Sequence, residues 1–254
     1  MKKTRVSAAA ITALLLAGSL AACGSDSSSS EKVTLRVFAA ASLTESFTTL
    51  GREFEKDHPG TKVVFEFGPS SGLAEQIGSG APADVFASAS PTNMDAVVSA
   101  GAASDPQDFA TNSAEIAVPP DNPAKITGLA DLAKTGIKVA LCQAQVPCGK
   151  VAAAVFEKAG LSVKPVTEEV DVKSTLAKVT LGEVDAGVVY VTDVLAAGDD
   201  VTGIEIPDAQ NSSTTYPIAA LSDSEHAKQA GEFVDLVTSD TGSGVLTKAG
   251  FGSP

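Results

Sequence analysis

The segment Val33–Phe47 reads VTLRVFAAASLTESF and contains one complete unit of an α/β fold. Its first part, up to Phe38, alternates in polarity and predicts a β-strand. From Leu43 to Lys56 the apolar residues recur at helical spacing, which predicts an amphipathic helix. Ser42 precedes this helix and Glu45 follows three residues later, so the pair fits a capping box and predicts that the helix begins at Ser42.

The same order of strand, turn and helix continues further along the chain. Strands are predicted at Lys62–Phe67 and Asp84–Ser88, and helices at Leu73–Ile77 and Pro91–Ser99. A βαβαβα succession implies parallel strands with helices on both faces of the sheet. The predicted fold class is therefore α/β.

A second α/β set follows the prolines after Val118. A further strand is predicted at Ala114–Val118, before these prolines. The strands predicted after them are Ile137–Leu141, Val163–Val166, Ala186–Val191, Ile204–Ile206 and Ile218–Leu221. Helices are predicted at Lys150–Lys158, Val172–Leu181 and Glu225–Val237. Two similar sets predict two lobes, each a mostly parallel sheet flanked by helices.

The predicted chain crossings between the lobes lie near Asn112–Glu115 and Thr214–Pro217. With these crossings, one lobe comprises residues 32–113 together with 217–254, and the other comprises residues 114–216. The C-terminal helix then rejoins the first lobe.

The N-terminus predicts export. Basic residues at Lys2, Lys3 and Arg5 precede a short apolar stretch, Ala8–Leu16. This stretch has the length of a secretory signal core and is too short to span a bilayer comfortably.

The sequence LAAC at 20–23 resembles the lipobox of bacterial lipoproteins, in which the cysteine becomes the lipid-modified first residue. We therefore predict a removed lipoprotein signal peptide over 1–22, lipid on Cys23 and a flexible anchored tether over 23–31. The mature protein would then be extracytoplasmic and held at the outer face of the cell membrane. An ordinary signal peptide with an incidental cysteine is the alternative.

The charge of the chain argues against several kinds of partner. The net charge is −13, and without the three basic residues of the signal 15 basic residues face 31 acidic ones, a net charge of −16. Nucleic acid is therefore not an expected partner. Tryptophan is absent and tyrosine occurs twice, and the only arginines after Arg5 are Arg36 and Arg52. A guanidinium clamp on an anion has almost no candidates.

Two of the three cysteines, Cys142 and Cys148, lie in the segment CQAQVPCG. A zinc site would need two further soft ligands, yet the only histidines are His58 and His226, neither at local spacing. A nucleophilic Cys148 lacks a histidine partner for the same reason. Thiols oxidise outside the cytoplasm, so pairing is the default expectation, and we predict no metal and no cofactor.

Several predicted strand-to-helix turns end in small or hydroxyl residues, at Ser42, Ser70–Ser71 and Cys148–Gly149. A further helix start, at Asp171–Val172, offers bare backbone. Ligands of parallel sheets collect where helix N-termini meet the carboxyl ends of the strands. Such turns suit a small anion held by neutral donors, and plain N-capping is the alternative.

Two sets of residues leave an enzymatic or metal-binding function as an alternative. Gly68–Gly72 fits the G-x-S-x-G nucleophile elbow of α/β-hydrolases, although His226 is the only histidine downstream and lies at the polar start of a helix. The acidic pairs Glu168–Glu169 and Asp199–Asp200 could hold calcium or act as glycosidase carboxylates, but such pairs are more often solvated.

Three segments form a specific combination: FAAASL at 38–43, FGPSSGLA at 67–74 and GAPADVFASA at 80–89. Together they closely resemble the substrate-binding protein of bacterial molybdate ABC transporters. The likeness covers nearly the whole mature chain in order and continues through VPCG at 146–149, EVDV at 169–172, GVVY at 187–190 and YPI at 216–218.

The resemblance implies a two-lobed periplasmic-binding-protein fold of type II that closes around its ligand, and no catalysis. The neutral donors of that family correspond to the hydroxyls of Ser42, Ser70 and Tyr190 and to the backbone N–H groups of Cys148 and Val172. Some relatives have alanine at the position of Cys148, which a backbone donor tolerates.

The implied ligand is molybdate, a doubly charged tetrahedral anion that N–H and O–H groups of fixed direction can hold without a counter-charge. Tungstate has nearly the same size and should bind almost as well, whereas the smaller sulfate should lose contacts. Sulfate or another oxyanion is the alternative ligand. The resemblance also implies delivery to a membrane permease, and we expect a monomer.

The export signal, the lack of histidines and the resemblance together favour a disulfide between Cys142 and Cys148. Closing so short a loop contributes about 2 to 3 kcal/mol in the chain-entropy description. The bond would also preorganise the turn whose Cys148 N–H faces the anion.

Overall fold

The computed structural model describes residues 32–254; the predicted signal peptide, the lipidation site Cys23 and the tether lie outside the described residues. The strands are β1 (Val33–Ala40), β2 (Thr61–Gly68), β3 (Val85–Ala87), β4 (Gln107–Val118), β5 (Val139–Cys142), β6 (Thr167–Glu169), β7 (Ala186–Tyr190), β8 (Thr202–Glu205) and β9 (Ser213–Ala220). The helices are α1 (Thr44–Asp57), α2 (Ser70–Gly78), α3 (Pro91–Ser99), α4 (Leu129–Leu132), α5 (Pro147–Ala159), α6 (Val172–Thr180), α7 (Val191–Ala197), α8 (Ala227–Thr238) and α9 (Asp240–Lys248). Short 3-10 turns lie at Ala41–Leu43 and Gly198–Asp200.

The strands form one mixed sheet in the order β2-β1-β3-β9-β4-β7-β5-β6, and β8 pairs with β4. β1 is parallel to both β2 and β3, and β5 is parallel to both β6 and β7. β4 and β9 run antiparallel to their neighbours. The α/β class predicted from the sequence is confirmed, with two parallel groups of strands joined by an antiparallel centre.

β4 and β9 connect the two groups of strands. β4 pairs with β9 over Gln107–Ser113 and with β7 over Ala114–Ala117. Both predicted crossings, near Asn112–Glu115 and Thr214–Pro217, therefore fall inside long strands that belong to the sheet. The lobe boundaries derived from these crossings stay a prediction.

The hydrophobic side chains pack into separate cores on the two groups of strands. Around β1 and β3, alternate residues face opposite sides of the sheet, as the two-residue period of a strand requires. Leu35 and Val37 pack with α1, α8 and α9, whereas Phe38 packs with α2 and α3. A third core lies around β5 and β7 and includes Val139 and Val188.

The core below α1 is built on aromatic side chains. The ring centroid of Phe47 lies 6.2 Å from that of Phe65, 5.8 Å from that of Phe109 and 6.0 Å from that of Phe233. Such offset and edge contacts add about 0.5 to 1.5 kcal/mol per pair beyond buried area. This packing fixes α1, and with it the Ala41–Leu43 turn at the end of β1.

Some predicted elements are wrong. The strand expected at Val163–Val166 lies instead at Thr167–Glu169, because Pro165 has no N–H to donate to a neighbouring strand. Helices α4, α7 and α9 were not predicted, since α4 and α7 are short and α9 contains two glycines in its sequence DTGSGVLTK.

The capping box at Ser42 and Glu45 is also wrong. Ser42 lies inside the 3-10 turn, so α1 begins two residues later and has no side-chain cap. The hydroxyl of Ser42 bonds to Tyr216 instead, with Oγ and Oη 2.8 Å apart. Within residues 32–254, no helix is long and apolar enough to cross a membrane.

Candidate functional site

A cavity of about 20 Å³ lies where the carboxyl ends of β1, β2, β5 and β7 meet the starts of helices. Ser42, Ser70, Cys148, Val172 and Tyr190, the five residues expected to bind the anion, all line it. The other lining residues are Ala40, Ala41, Gly68, Pro69, Ala89, Val146, Pro147 and Asp171. Residues up to 150 positions apart in the sequence, Ala40 and Tyr190, thus meet around one small space.

Three helices begin at this cavity, α2 at Ser70, α5 at Pro147 and α6 at Val172. The first N–H groups of a helix have no partner within the helix, and the helix dipole places partial positive charge at the same end. The cavity therefore presents donors and positive potential without a basic side chain among its lining residues. This chemistry favours an anion.

Asp171 is the only acidic residue among those lining the cavity. Its Oδ1 accepts a hydrogen bond from Ser174 N at 2.8 Å and so caps α6. The carboxylate thereby satisfies one N–H of the first turn and leaves the N–H of Val172 for the cavity.

Ser70 is the first residue of α2, and Pro69 holds the N-cap position in an extended conformation. The side chain is 1% exposed, and its Oγ accepts a hydrogen bond from Ala89 N at 2.9 Å. Because the oxygen accepts this bond, its own hydrogen is left to donate. Ser70 is thus a fixed hydroxyl donor at the edge of the cavity.

The turn before α5 is held by two close constraints. Cys142 and Cys148 are joined through their sulfurs, with Cα atoms 5.7 Å apart. A Cβ on Gly149 would lie 2.0 Å from Gln143 O and 2.9 Å from Cys142 O, so only glycine allows the carbonyls to approach this closely. The start of α5, and with it Cys148 N, is set by local backbone geometry.

Tyr190 ends β7 and is fully enclosed. Its Oη is buried and makes no hydrogen bond within 3.5 Å among the described residues, although it interacts at longer range with the hydroxyl of Tyr216. Burial, together with the nearby Tyr216 and Asp193, raises the pKa of Tyr190 well above its usual value, so the phenol keeps its hydrogen. A buried hydroxyl without a partner costs about 1 to 3 kcal/mol, which a ligand acceptor in the cavity would recover.

A cluster of charged side chains that the sequence did not predict lies beside the cavity. Lys173 Nζ donates to both oxygens of Glu45 at 2.9 Å and lies 3.2 Å from Asp193 Oδ1. Asp193 Oδ2 accepts from Tyr190 N at 3.1 Å. The cluster thus links α1 to α6 and α7, next to Val172 in the chain and in contact with Tyr190 N. Its signal in the sequence was weak, since the three residues are far apart and acidic residues are abundant.

Burial affects the ionisation of this cluster. Burial raises the pKa of Asp193 to about 6, although Lys173 and the N–H of Tyr190 partly offset this effect. Burial also lowers the pKa of Lys173, but attraction to Asp193 and Glu45 outweighs it and the pKa of Lys173 is raised. Lys173 therefore stays charged, whereas Asp193 titrates near pH 6.

The structure does not bring together the residues that the hydrolase alternative needs. His226 lies in a separate groove of about 300 Å³ beside Arg36 and Asp84, and His58 stacks on Phe54. Neither histidine of the described chain lines the cavity that contains Ser70. A Ser-His hydrolase site is therefore not assembled.

The acidic pairs likewise form no site. Glu169 Oε1 accepts from Thr167 Oγ1 at 2.7 Å, and Asp199–Asp200 lie in an exposed turn after α7. Among residues 32–254, no group of three or more His, Cys, Asp or Glu side chains could hold a metal ion.

The fold and the anion-attracting cavity define a receptor for a small solute. Residues 35–252 match the model of bacterial extracellular solute-binding proteins, and the chain belongs to this family. It is 40% identical over 262 residues to the molybdate-binding protein ModA of Mycobacterium tuberculosis, with 100% of both chains covered. It is 33% identical over 256 residues to the putative ABC transporter substrate-binding lipoprotein YvgL of Bacillus subtilis, with 98% of each covered.

The solved structure of the periplasmic molybdate-binding protein of Azotobacter vinelandii has the same fold. The TM-score is 0.77 at 20% sequence identity, and the match covers 87% of this chain and 99% of that one. The predicted periplasmic-binding-protein fold and the resemblance to molybdate-binding proteins are confirmed. Members of the family bind solutes for transport, and the likeness indicates no cofactor.

Proposed function

We propose that this protein is an extracytoplasmic receptor that binds molybdate in the cavity between α2, α5 and α6. The observation that carries the proposal is the buried Oη of Tyr190, which makes no hydrogen bond within 3.5 Å to any of residues 32–254 and lies in one cavity with the hydroxyl of Ser70 and the starts of three helices. The likeness to molybdate-binding proteins supports the choice of ligand. In this reading the protein is not an enzyme.

The proposed ligands are the hydroxyls of Ser42, Ser70 and Tyr190 and the N–H groups of Cys148 and Val172. All five are donors, so they suit an anion that only accepts hydrogen bonds. A protonated oxyanion would bring a hydrogen that meets only other donors and would be rejected. Tungstate should bind almost as well as molybdate because it matches it in size and charge.

The proposal also covers where the receptor is held and to which protein it passes molybdate. We expect lipid on Cys23 to anchor the receptor to the outer face of the cell membrane, as a monomer, where it hands molybdate to an ABC permease. The lobes 32–113 with 217–254 and 114–216 would close around the anion. The similarity to a lipoprotein of Bacillus subtilis supports the anchor.

Calorimetric competition tests the ligand. Molybdate should bind one to one, tungstate should displace it at similar concentration, and sulfate should need a large excess. Tight binding of sulfate with weak binding of molybdate would refute molybdate as the ligand and leave another oxyanion in its place.

Ser70→Ala tests the site. Losing a hydrogen bond to a charged ligand should weaken molybdate binding about tenfold or more. Ser71→Ala is the matched control, because Ser71 is the next residue of α2 and does not line the cavity. Equal effects of the two substitutions would place the anion elsewhere.

A further inference from the structure

The hydroxyl of Ser42 belongs to a buried chain of polar side chains. Ser42 Oγ lies 2.8 Å from Tyr216 Oη, and Asn112 Nδ2 lies 3.4 Å from Tyr216 Oη and 2.8 Å from Thr192 Oγ1. Ser42, Tyr216, Asn112 and Thr192 are all at most 4% exposed. Tyr216 and Asn112 are on β9 and β4, the two strands that connect the groups of strands, and neither residue lines the cavity.

The direction of the hydrogen bonds follows from Asn112. Its Oδ1 accepts from Ser113 N at 3.1 Å, which fixes the amide so that Nδ2 carries the hydrogens toward Thr192 and Tyr216. Tyr216 Oη therefore accepts from Asn112. Its own hydrogen remains free to donate along the short contact to Ser42 Oγ.

The reverse direction leaves a hydrogen without a partner. If Ser42 donated to Tyr216, Oη would accept from both Ser42 and Asn112, and the phenol hydrogen would have to turn to Tyr190 Oη, which lies beyond hydrogen-bond distance. A buried donor left unpaired is costly. Burial also raises the pKa of Tyr216, so the phenol keeps its hydrogen and can only act as a neutral donor.

We propose that Tyr216 is a positioning residue that donates to Ser42 Oγ and thereby turns the Ser42 hydrogen toward the cavity. A serine hydroxyl has one hydrogen, and accepting from Tyr216 leaves that hydrogen for a ligand in the cavity. The inference rests on the proposed function, because it explains why the single hydrogen of Ser42 is available to the anion. If Ser42 donated to Tyr216 instead, it would have no hydrogen left for the anion.

Tyr216→Phe is a suitable test because the ring is held independently of its hydroxyl. The ring centroid lies 5.3 Å from that of Phe251, 6.2 Å from that of Phe109 and 6.4 Å from that of Tyr190. Phenylalanine retains these contacts, so the variant should fold.

A double-mutant cycle on molybdate affinity separates positioning from packing. Tyr216→Phe should weaken binding about five- to tenfold, and Ser42→Ala should weaken it at least as much. The double variant should bind like Ser42→Ala alone, because Tyr216 acts through the Ser42 hydroxyl. Ser46→Ala is the control, since Ser46 is equally buried but donates to Leu43 O outside the cavity. Additive losses in the double variant, or unchanged affinity of Tyr216→Phe, would overturn the proposal.

A measurement without ligand determines separately whether Tyr216 donates to Ser42 or Ser42 donates to Tyr216. Neutron diffraction of the deuterated protein should place the deuterium of Tyr216 between Oη and Ser42 Oγ. A deuterium of Ser42 in that position would overturn the proposal. If the wild-type protein failed to bind molybdate, the proposed function would be wrong, and the neutron map would still decide the order of the hydrogens.

Discussion

The two kinds of donor around the cavity are held in different ways. At α5 and α6 the donors are backbone N–H groups, and their direction is set within a few residues by the Cys142–Cys148 bond, by Gly149 and by the Asp171 cap. At Ser42 the donor is a hydroxyl whose direction depends on Tyr216, 174 positions away. Backbone donors should therefore tolerate side-chain changes and fail when the turn is distorted. Hydroxyl donors should fail on the loss of single oxygen atoms.

The largest expected effect is at Gly149. Gly149→Ala places a Cβ against Gln143 O, so the turn must move and Cys148 N with it. We expect at least a tenfold loss of molybdate affinity and a loss of about 1 to 3 kcal/mol in the free energy of unfolding. Calorimetry and denaturant unfolding measure the two effects.

Val172→Ala is the control for Gly149→Ala. It shortens a side chain at a backbone donor without removing the N–H, so affinity should change less than about twofold although the core loses packing. If Gly149→Ala bound molybdate as well as Val172→Ala does, backbone geometry at α5 would not control the site.

Tyr190→Phe should give the next largest effect and should separate binding from stability. The variant loses a donor to the anion, so molybdate affinity should fall about tenfold. The ligand-free protein should be as stable as wild type or more stable, because a buried hydroxyl without a partner is removed. Thermal unfolding without and with molybdate measures both quantities. A destabilised apo protein with normal affinity would show that Oη has a structural partner instead of a ligand.

The smallest expected effect concerns Asp193 and pH. Because the folded-state pKa of Asp193 is raised to about 6 from its ordinary 3.8, the protonated form is favoured by folding. This contribution to stability is fully present below pH 3.8 and is lost as pH rises through 6. Between pH 8 and pH 5, wild type should therefore gain about 1 kcal/mol of unfolding free energy relative to Asp193→Asn.

Urea unfolding of both proteins across this range isolates the contribution of Asp193. Parallel curves for wild type and Asp193→Asn would mean that the pKa of the carboxyl is not raised. A stability of wild type that falls relative to Asp193→Asn only as pH drops below about 4 would mean that Lys173 depresses the pKa of Asp193.

Local patterns predicted much of this fold. The strand and helix around Ser42, the helix at Pro91–Ser99 and the helix start at Val172 follow from periodicity and proline signals over a few residues. The resemblance supplied the five cavity residues, which the structure brings together. Whether they bind the anion stays a prediction.

Contacts between distant segments were not predictable in this way. The capping box at Ser42 failed because the hydroxyl bonds to Tyr216 on another strand. The Glu45–Lys173–Asp193 cluster joins three helices, and nothing in a single stretch of sequence indicates which charges meet. Both features depend on contacts between distant segments, which local sequence patterns do not reveal.

The most direct test of the neutral-donor site is the proton balance of molybdate binding. We expect calorimetry from pH 7 to 9, in two buffers of different ionisation enthalpy, to give nearly constant affinity and about zero protons exchanged, because no group that titrates in this range contacts the anion. The window begins at pH 7 because Asp193 titrates near 6. Uptake or release of close to one proton, or a steep change of affinity within the window, would contradict the account.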